Sequence, residues 1–184
     1  AQGYARTTTR AIATEAGVNE VTLFRHFGSK ENLFHEMVET YSDLPRMEFA
    51  MLAQAGDDYR QAMRQVGRIF MQVMMARSDV IRLILCEASH FPEIRNIMAQ
   101  NPRRLRQALA AYLQSQMDAG RVRKQTPELC AQAFFGMFFS YGILRHVLEE
   151  DPASEKTLEE VVDDFVDIFV NGTICPEGAD KGEK

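Results

Sequence analysis

Apolar residues recur three and four positions apart along almost the whole chain, the spacing of one face of an α-helix, and no stretch sustains an alternation of period two. The pattern predicts an all-α protein. No Asn-Gly or Asp-Gly hairpin signal lies between β-branched runs. Short helices are expected near residues 8–16 and 20–27, then a longer one from 30 toward 42. Pro45 and Gly56 punctuate a stretch that holds a further apolar helical pattern. From about 57 to 77, Met63, Val66, Phe70, Val73 and Met74 share one face. The next helix, 80–90, should stop at Phe91-Pro92, because the residue before a proline is pushed out of the helical region. Residues 94–100 read as a short piece. Pro102 is placed as a first-position helix proline and Gly120 as the glycine after a helix end, bracketing RRLRQALAAYLQSQMDA. Thr126-Pro127-Glu128 repeats that start signal and opens an apolar helix to about Glu149. Ser154 is expected to cap the last helix and Asn171-Gly172 to end it. The division that follows is a head at 1–44, a larger helical domain at 45–172 and a flexible tail at 173–184.

Composition narrows the function only in part. At 184 residues the chain can bury one generous core or two small ones. No apolar run is long enough to span a bilayer, and no charged-then-apolar leader pattern opens the chain, so a cytoplasmic protein with no membrane partner is expected. Cys86, Cys130 and Cys175 are odd in number and lack a C-x-x-C pair. Neither a disulfide framework nor a zinc site is indicated, and no cofactor or metal is expected. A net charge of −5 argues at first against a nucleic-acid partner. The acid is local, however: residues 149–167 hold nine acids and one lysine, about −8, which leaves the remainder near +3.

The stretch TTTRAIATEAGVNEVTLFRHFGSKENL, residues 7–33, packs two short helical patterns around Gly17. A left-handed residue is needed where the first helix ends, and glycine adopts it cheaply. Val18 can then tuck between the two helices while Asn19 caps the second. Ile12, Ala13, Ala16, Leu23 and Phe27 form the inward face, and alanine permits a close crossing. This is a helix-turn-helix pattern. Val21, Thr22, Arg25 and His26 are left outside, offering an apolar contact, a hydroxyl, a guanidinium and an imidazole, which suit base edges in a major groove.

Once those residues are in view, the pattern GY…T…IA…AGV…TLF.HF.SKE.L over residues 3–33 resembles the DNA-binding domain of the TetR/AcrR family of bacterial transcriptional regulators. The resemblance implies that the second helix of the head starts at Thr8, that the recognition helix is Glu20–Phe27, and that Lys30 meets a phosphate. The contact set it implies is Thr8, Thr9, Arg10, Asn19, Glu20, Val21, Thr22, Phe24, Arg25, His26 and Lys30. Glu20 reads in two ways, as an acceptor from a cytosine amino group or as a first-turn carboxylate that favours the helix dipole. Phe24 stands where the family usually has tyrosine, so the phosphate bond of that hydroxyl is unavailable. Asn19 replaces a common serine without loss of capping. Family members also carry a whole helix before the Gly-Tyr pair, so the first helix of the head is expected to be missing and the natural protein to be longer. That arm, often basic, would explain why residues 1–40 hold only four basic residues against five acidic ones.

In the rest of the chain a second basic region, Arg103, Arg104, Arg106, Arg121, Arg123 and Lys124, reads as a solvated helix with cations flanking its turns. Residues 63–139 are rich in methionine and phenylalanine, which fill irregular volumes and wall apolar ligands. Most of them must be core. The resemblance implies an effector pocket among the C-terminal helices, with candidates Met71, Met74, Met75, Glu87, His90, Phe91, Met117, Phe134, Phe138 and Tyr141. RLILCEASHFPE places Glu87 on an otherwise apolar helix, and it resembles the sixth helix and following turn of an AcrR-like subgroup. A buried carboxylate there must be bonded to an arginine, a helix end or a ligand. Arg145 and His146 raise the same choice.

The last two helices suggest self-association. Leu158, Val161, Val162, Phe165, Ile168 and Phe169 form one stripe, while Glu155, Glu159, Asp163 and Asp167 recur every fourth residue and are expected to face water. AFFGMFFSYGILRHVL is apolar nearly all round and must be covered on both sides, with Gly136 and Gly142 permitting close approach. A homodimer through a four-helix bundle is expected, with Phe139, Leu144 and Val147 joining that stripe in the interface. A half-site reader needs it, since two recognition helices must lie about 34–36 Å apart to enter successive major grooves. The expected function is a ligand-responsive repressor that binds a palindromic duplex operator as a dimer and is released by a small, largely apolar effector. The rivals are a helical adaptor and a small all-α enzyme. Against the enzyme stand the absence of a G-x-S-x-G elbow, a phosphate-binding glycine loop and histidines at metal spacing.

Overall fold

The computed structural model describes residues 3–42, 58–87, 92–148 and 156–175. Among these the elements are helices: α1 (Gly3–Arg6), α2 (Thr9–Glu15), α3 (Glu20–Phe27), α4 (Lys30–Ser42), α5 (Tyr59–Ala76), α6 (Ser78–Glu87), α7 (Pro92–Asp118), α8 (Pro127–Gly142) and α9 (Leu158–Thr173). The winding of α8 continues as π-turns over Ile143–Leu148. The chain forms two compact units, one of residues 1–44 with 79–101, the other of 45–78 with 102–184.

The first unit is larger than the 1–44 head read from the sequence because α6 supplies part of its core. Phe34, Val38 and Ile84 are buried together, with Tyr4, Met37, Val80 and Leu83 packed around them. A single helical turn, α1, stands where the sequence reading placed no helix. Thr8 caps α2 by accepting from the Ala11 N–H at 3.1 Å, and Asn19 caps α3 through the Val21 N–H at 2.8 Å. Between them Gly17 takes φ +67°, the left-handed turn its position called for. Ala13 and Leu23 are buried at the crossing. Val18 is not tucked in: it remains 45% exposed, since the turn is closed by its own N–H bonding the Ala13 carbonyl at 2.9 Å rather than by its side chain.

The second unit is organised by α5, α8 and α9. Aromatic rings form its centre: Phe134 lies 5.0 Å from both Phe138 and Phe169, and Phe138 meets Phe165 edge-on at 5.2 Å. Gly67 allows this, because a Cβ there would come within 2.7 Å of the Phe138 ring. The helices α5 and α9 run antiparallel, as three ion pairs show: Arg60 with Asp167, Arg64 with Asp163 at 2.8 Å and Arg68 with Glu159 at 2.7 Å. The acids expected to face water therefore face a stripe of arginines at the same four-residue spacing. Each pair is half exposed, so the ladder sets register more than it adds stability. The far end is closed by the Tyr59 hydroxyl on Thr173 Oγ1 at 2.8 Å and by a backbone bridge between Val122 and Ile174.

Three boundaries differ from the sequence reading. Pro102 lies inside α7 instead of opening a helix, so residues 94–100 and the following segment are one continuous element. The last helix is capped by Thr157 and not by Ser154, which lies outside the described residues. It runs to Thr173. Residues 173–175, expected to belong to a flexible tail, are held in place: Thr173 is buried and the Cys175 N–H bonds the Arg121 carbonyl at 3.1 Å.

Thr157 and Glu160 form a reciprocal cap: the Thr157 N–H donates to Glu160 Oε2 at 2.6 Å and the Glu160 N–H to Thr157 Oγ1 at 3.3 Å. Thr157→Ala should cost about 1 kcal/mol, read as a fall of about 2–4 °C in the thermal midpoint. The Thr157 backbone N–H, then its hydroxyl, holds the Glu160 carboxyl below the usual carboxylate range. A group more acidic when folded contributes above its unfolded pKa and loses that contribution as pH falls through the folded value. The deficit of the Ala variant should therefore shrink in acid, and a deficit unchanged at pH 3 would contradict this.

Candidate nucleic-acid interface

Helix α3 has only eight residues, too few for stability alone, so its rigidity must come from neighbours. Leu23 anchors it to the core and Asn19 caps it. A further tie fixes its first turn: the Thr9 hydroxyl donates to Glu20 Oε1 at 2.7 Å, joining the starts of α2 and α3. The side chains left outside are mostly apolar or basic. Val21 is 74% exposed and Phe24 43%. Arg10, Arg25 and His26 are exposed, Thr22 is half-buried, and neither Arg10 nor Arg25 makes an ion pair among the described residues.

The eleven residues implied as DNA contacts thus divide. Thr8 and Asn19 are occupied as helix caps, and Thr9 and Glu20 are bonded to each other. The Glu20 carboxylate takes the Thr9 hydroxyl, a bond that neither reading of this residue anticipated. Lys30 is also engaged: its ammonium donates to the Tyr4 carbonyl and lies 4.1 Å from the centroid of the Tyr4 ring. Arg10, Val21, Thr22, Phe24, Arg25 and His26 remain to meet a ligand.

Tyr4 is the residue the sequence reading passed over. Its ring packs on Phe34 at 5.0 Å and its N–H donates to Glu87 Oε1 at 3.1 Å. Burial, then the facing Glu31 carboxylate, pushes its hydroxyl up to about 12. The Gly-Tyr pair is visible in the sequence, but no local pattern could signal a bond to a carboxylate 83 positions away. Glu87 consequently leaves the effector candidates. It belongs to the first unit, where it takes up a free N–H in the first turn of α1.

The other C-terminal candidates are also sorted. Met71, Met74, Met117, Phe134 and Phe138 are buried in the second unit, and Tyr141 is half-buried against Phe165 at 5.8 Å. Met75 is exposed, because its position on α5 turns away from α8. His90 and Phe91 lie outside the described residues. Of the expected interface stripe, Val161, Val162 and Phe169 are buried within their own unit, since the face of α9 that carries them packs on α5 and α8. Leu158 and Phe165 are half-buried. Ile168, Phe139 and Leu144 point outward, with Ile168 63% exposed. The side chain of Val147 lies outside the description. In the second basic region Arg103 and Arg104 are exposed, whereas Arg121 bonds Gln116 Oε1 at 2.7 Å and Arg123 the Ile174 carbonyl at 3.0 Å.

Comparison with known proteins places this geometry. Residues 1–37 match the family of bacterial regulatory proteins of the tetR family, and residues 61–172 match the AefR-like transcriptional repressor C-terminal domain. YvkB, an uncharacterised helix-turn-helix transcriptional regulator of Bacillus subtilis, is 26% identical over 93% of this chain and 88% of its own length. A TetR-family regulator of Mesorhizobium loti superposes with a TM-score of 0.79 at 24% identity, covering 95% of this chain and 90% of that one. AibR, solved with isovaleryl coenzyme A and operator DNA, superposes with a TM-score of 0.69 at 20% identity, covering 91% and 89%. The chain belongs to the TetR family of DNA-binding bacterial transcriptional regulators, its helix-turn-helix head followed by a C-terminal domain of the AefR-like repressor kind.

Proposed function

We propose that the protein is a ligand-responsive repressor that binds a palindromic operator as a homodimer and is released by a small, largely apolar effector held in its second unit. The carrying observation is the outward face of α3: Val21, Thr22, Arg25 and His26 stand on a short helix whose first turn and inner face are fixed. Arginine can pair with guanine and valine can meet a thymine methyl, so such a face suits a major groove. Selection from random duplexes tests the reading. A single enriched palindrome is expected, with affinity falling steeply as salt rises, and enrichment of no sequence would overturn it.

Dimerisation is supported by an open apolar groove along α8 and α9, where Leu129, Ala133, Met137, Ile168 and Gly172 line one surface. Leu129 is 64% exposed, an unusual position for leucine on a helix that is apolar nearly all round. Ile168→Glu should convert a dimer to a monomer in sedimentation at micromolar concentration while leaving helix content intact. A variant that sediments like the parent would remove this face from the interface. Effector response is supported by the adaptable methionine and phenylalanine interior of the second unit, and by AibR, a protein of this fold that carries both a small molecule and operator DNA. Release requires the effector to bind one state of the dimer better than the other, and the shift equals that difference in affinity.

A further inference from the structure

Arg145 follows directly on the part of α8 that packs against the second unit's core. Gly142, one turn earlier, is buried so closely on α5 that a Cβ there would lie 3.2 Å from Met74 Cε. Beyond it the chain widens into the π-turns of Ile143–Leu148, a winding that interrupts the helical ladder and recurs at ligand sites. Arg145 sits within them. The residue is half-buried, and its Nη2 has neither solvent exposure nor a hydrogen-bond acceptor among the described residues. A guanidinium is always charged and its N–H groups are obligate donors, so a dry, unmet nitrogen is a standing cost. The acids of α9 do not relieve it. Glu159, Asp163 and Asp167 meet the arginines of α5, and Asp164 meets Lys156.

We infer that Arg145 is the anchor for an oxyanion at the head of an amphipathic effector, a carboxylate or a phosphate carried on an apolar body. This deepens the repressor reading above and rests on it. The guanidinium fork can meet two oxygens in parallel bonds, and a small shift of this partly exposed side chain would present Nη2 to an arriving anion. The apolar body would lie among the methionine and phenylalanine side chains of the same unit. A wholly neutral effector would leave Nη2 as it stands, gaining nothing from a charge that costs the free protein stability.

The test is thermal unfolding of the full chain with decanoate, decyl phosphate and decanol, matched in chain length and used below micelle-forming concentrations. The midpoint should rise with at least one anion and not with decanol, and the two anionic arms tell carboxylate from phosphate. Arg145→Met, which keeps much of the length without the charge, should raise the ligand-free midpoint by about 2–4 °C and abolish the anion-dependent rise. Arg145→Lys should keep a reduced rise. A lower ligand-free midpoint for Arg145→Met would show that the guanidinium is met within the protein and overturn the inference. So would a rise in the parent no larger with either anion than with decanol, or one that survives in the Met variant. The same proteins are titrated with the selected duplex. A parent that selects a duplex yet ignores both anions sinks the anchor alone, whereas a parent that selects none sinks the repressor reading.

Discussion

Phe138→Ala is expected to destabilise the protein by about 3–5 kcal/mol, lowering the thermal midpoint by about 10 °C or more. The ring is fully buried, meets Phe134 and Phe165, and fills the space above Gly67. Removing it forfeits the transfer of an aromatic side chain from water and leaves a cavity where three helices converge. Collapse is opposed on both sides: Phe134 is itself fully buried and held by Phe169, and Gly67 has no side chain to move in. Phe135→Ala, about one turn earlier on α8 and slightly less buried, should cost less. Equal losses at the two positions, measured by denaturant titration, would show that the Phe138 cavity is filled by rearrangement.

Arg25→Ala is expected to weaken binding to the selected operator by roughly 1–3 kcal/mol, about five- to 150-fold. It should also relax preference at one base position. The guanidinium is exposed on α3 and makes no ion pair among the described residues, so its loss leaves the fold of the head unchanged. Anisotropy titrations on the operator and on a random duplex separate two roles. Loss confined to the operator places Arg25 on a base edge; an equal loss on both, with a smaller salt slope, would place it on a phosphate. Thr9 and Glu20 make a useful contrast, because their bond to each other joins the starts of α2 and α3. Thr9→Val should weaken both duplexes together.

Much of the head was legible in the sequence because its determinants are local. The caps at Thr8 and Asn19, the positive φ of Gly17 and the buried Ala13 and Leu23 all lie within a few residues of the groups they satisfy. The long-range partners were not legible. Arg60, Arg64 and Arg68 recur every fourth residue just as the acids of α9 do, yet nothing in either stripe says that the other will face it rather than water. Pro102 shows the opposite failure. A proline is a start signal by local preference, and one lost hydrogen bond was outweighed by the apolar face that continues through Leu105, Leu109 and Leu113.

What the sequence determined by itself is the helical class, the helix-turn-helix and the outward set on α3, since each follows from periodicity and capping within one or two turns. The tertiary structure decided which polar groups are left for a ligand. Lys30 and Glu20 look like Arg25 in sequence, as charged residues at or near a short helix, but Tyr4 and Thr9 engage the first two and leave the third. Glu87 and Arg145 both read as charges stranded on apolar helices. A distant N–H satisfied one and no described group met the other, a distinction that exists only once residues far apart in the chain are brought to within hydrogen-bond distance.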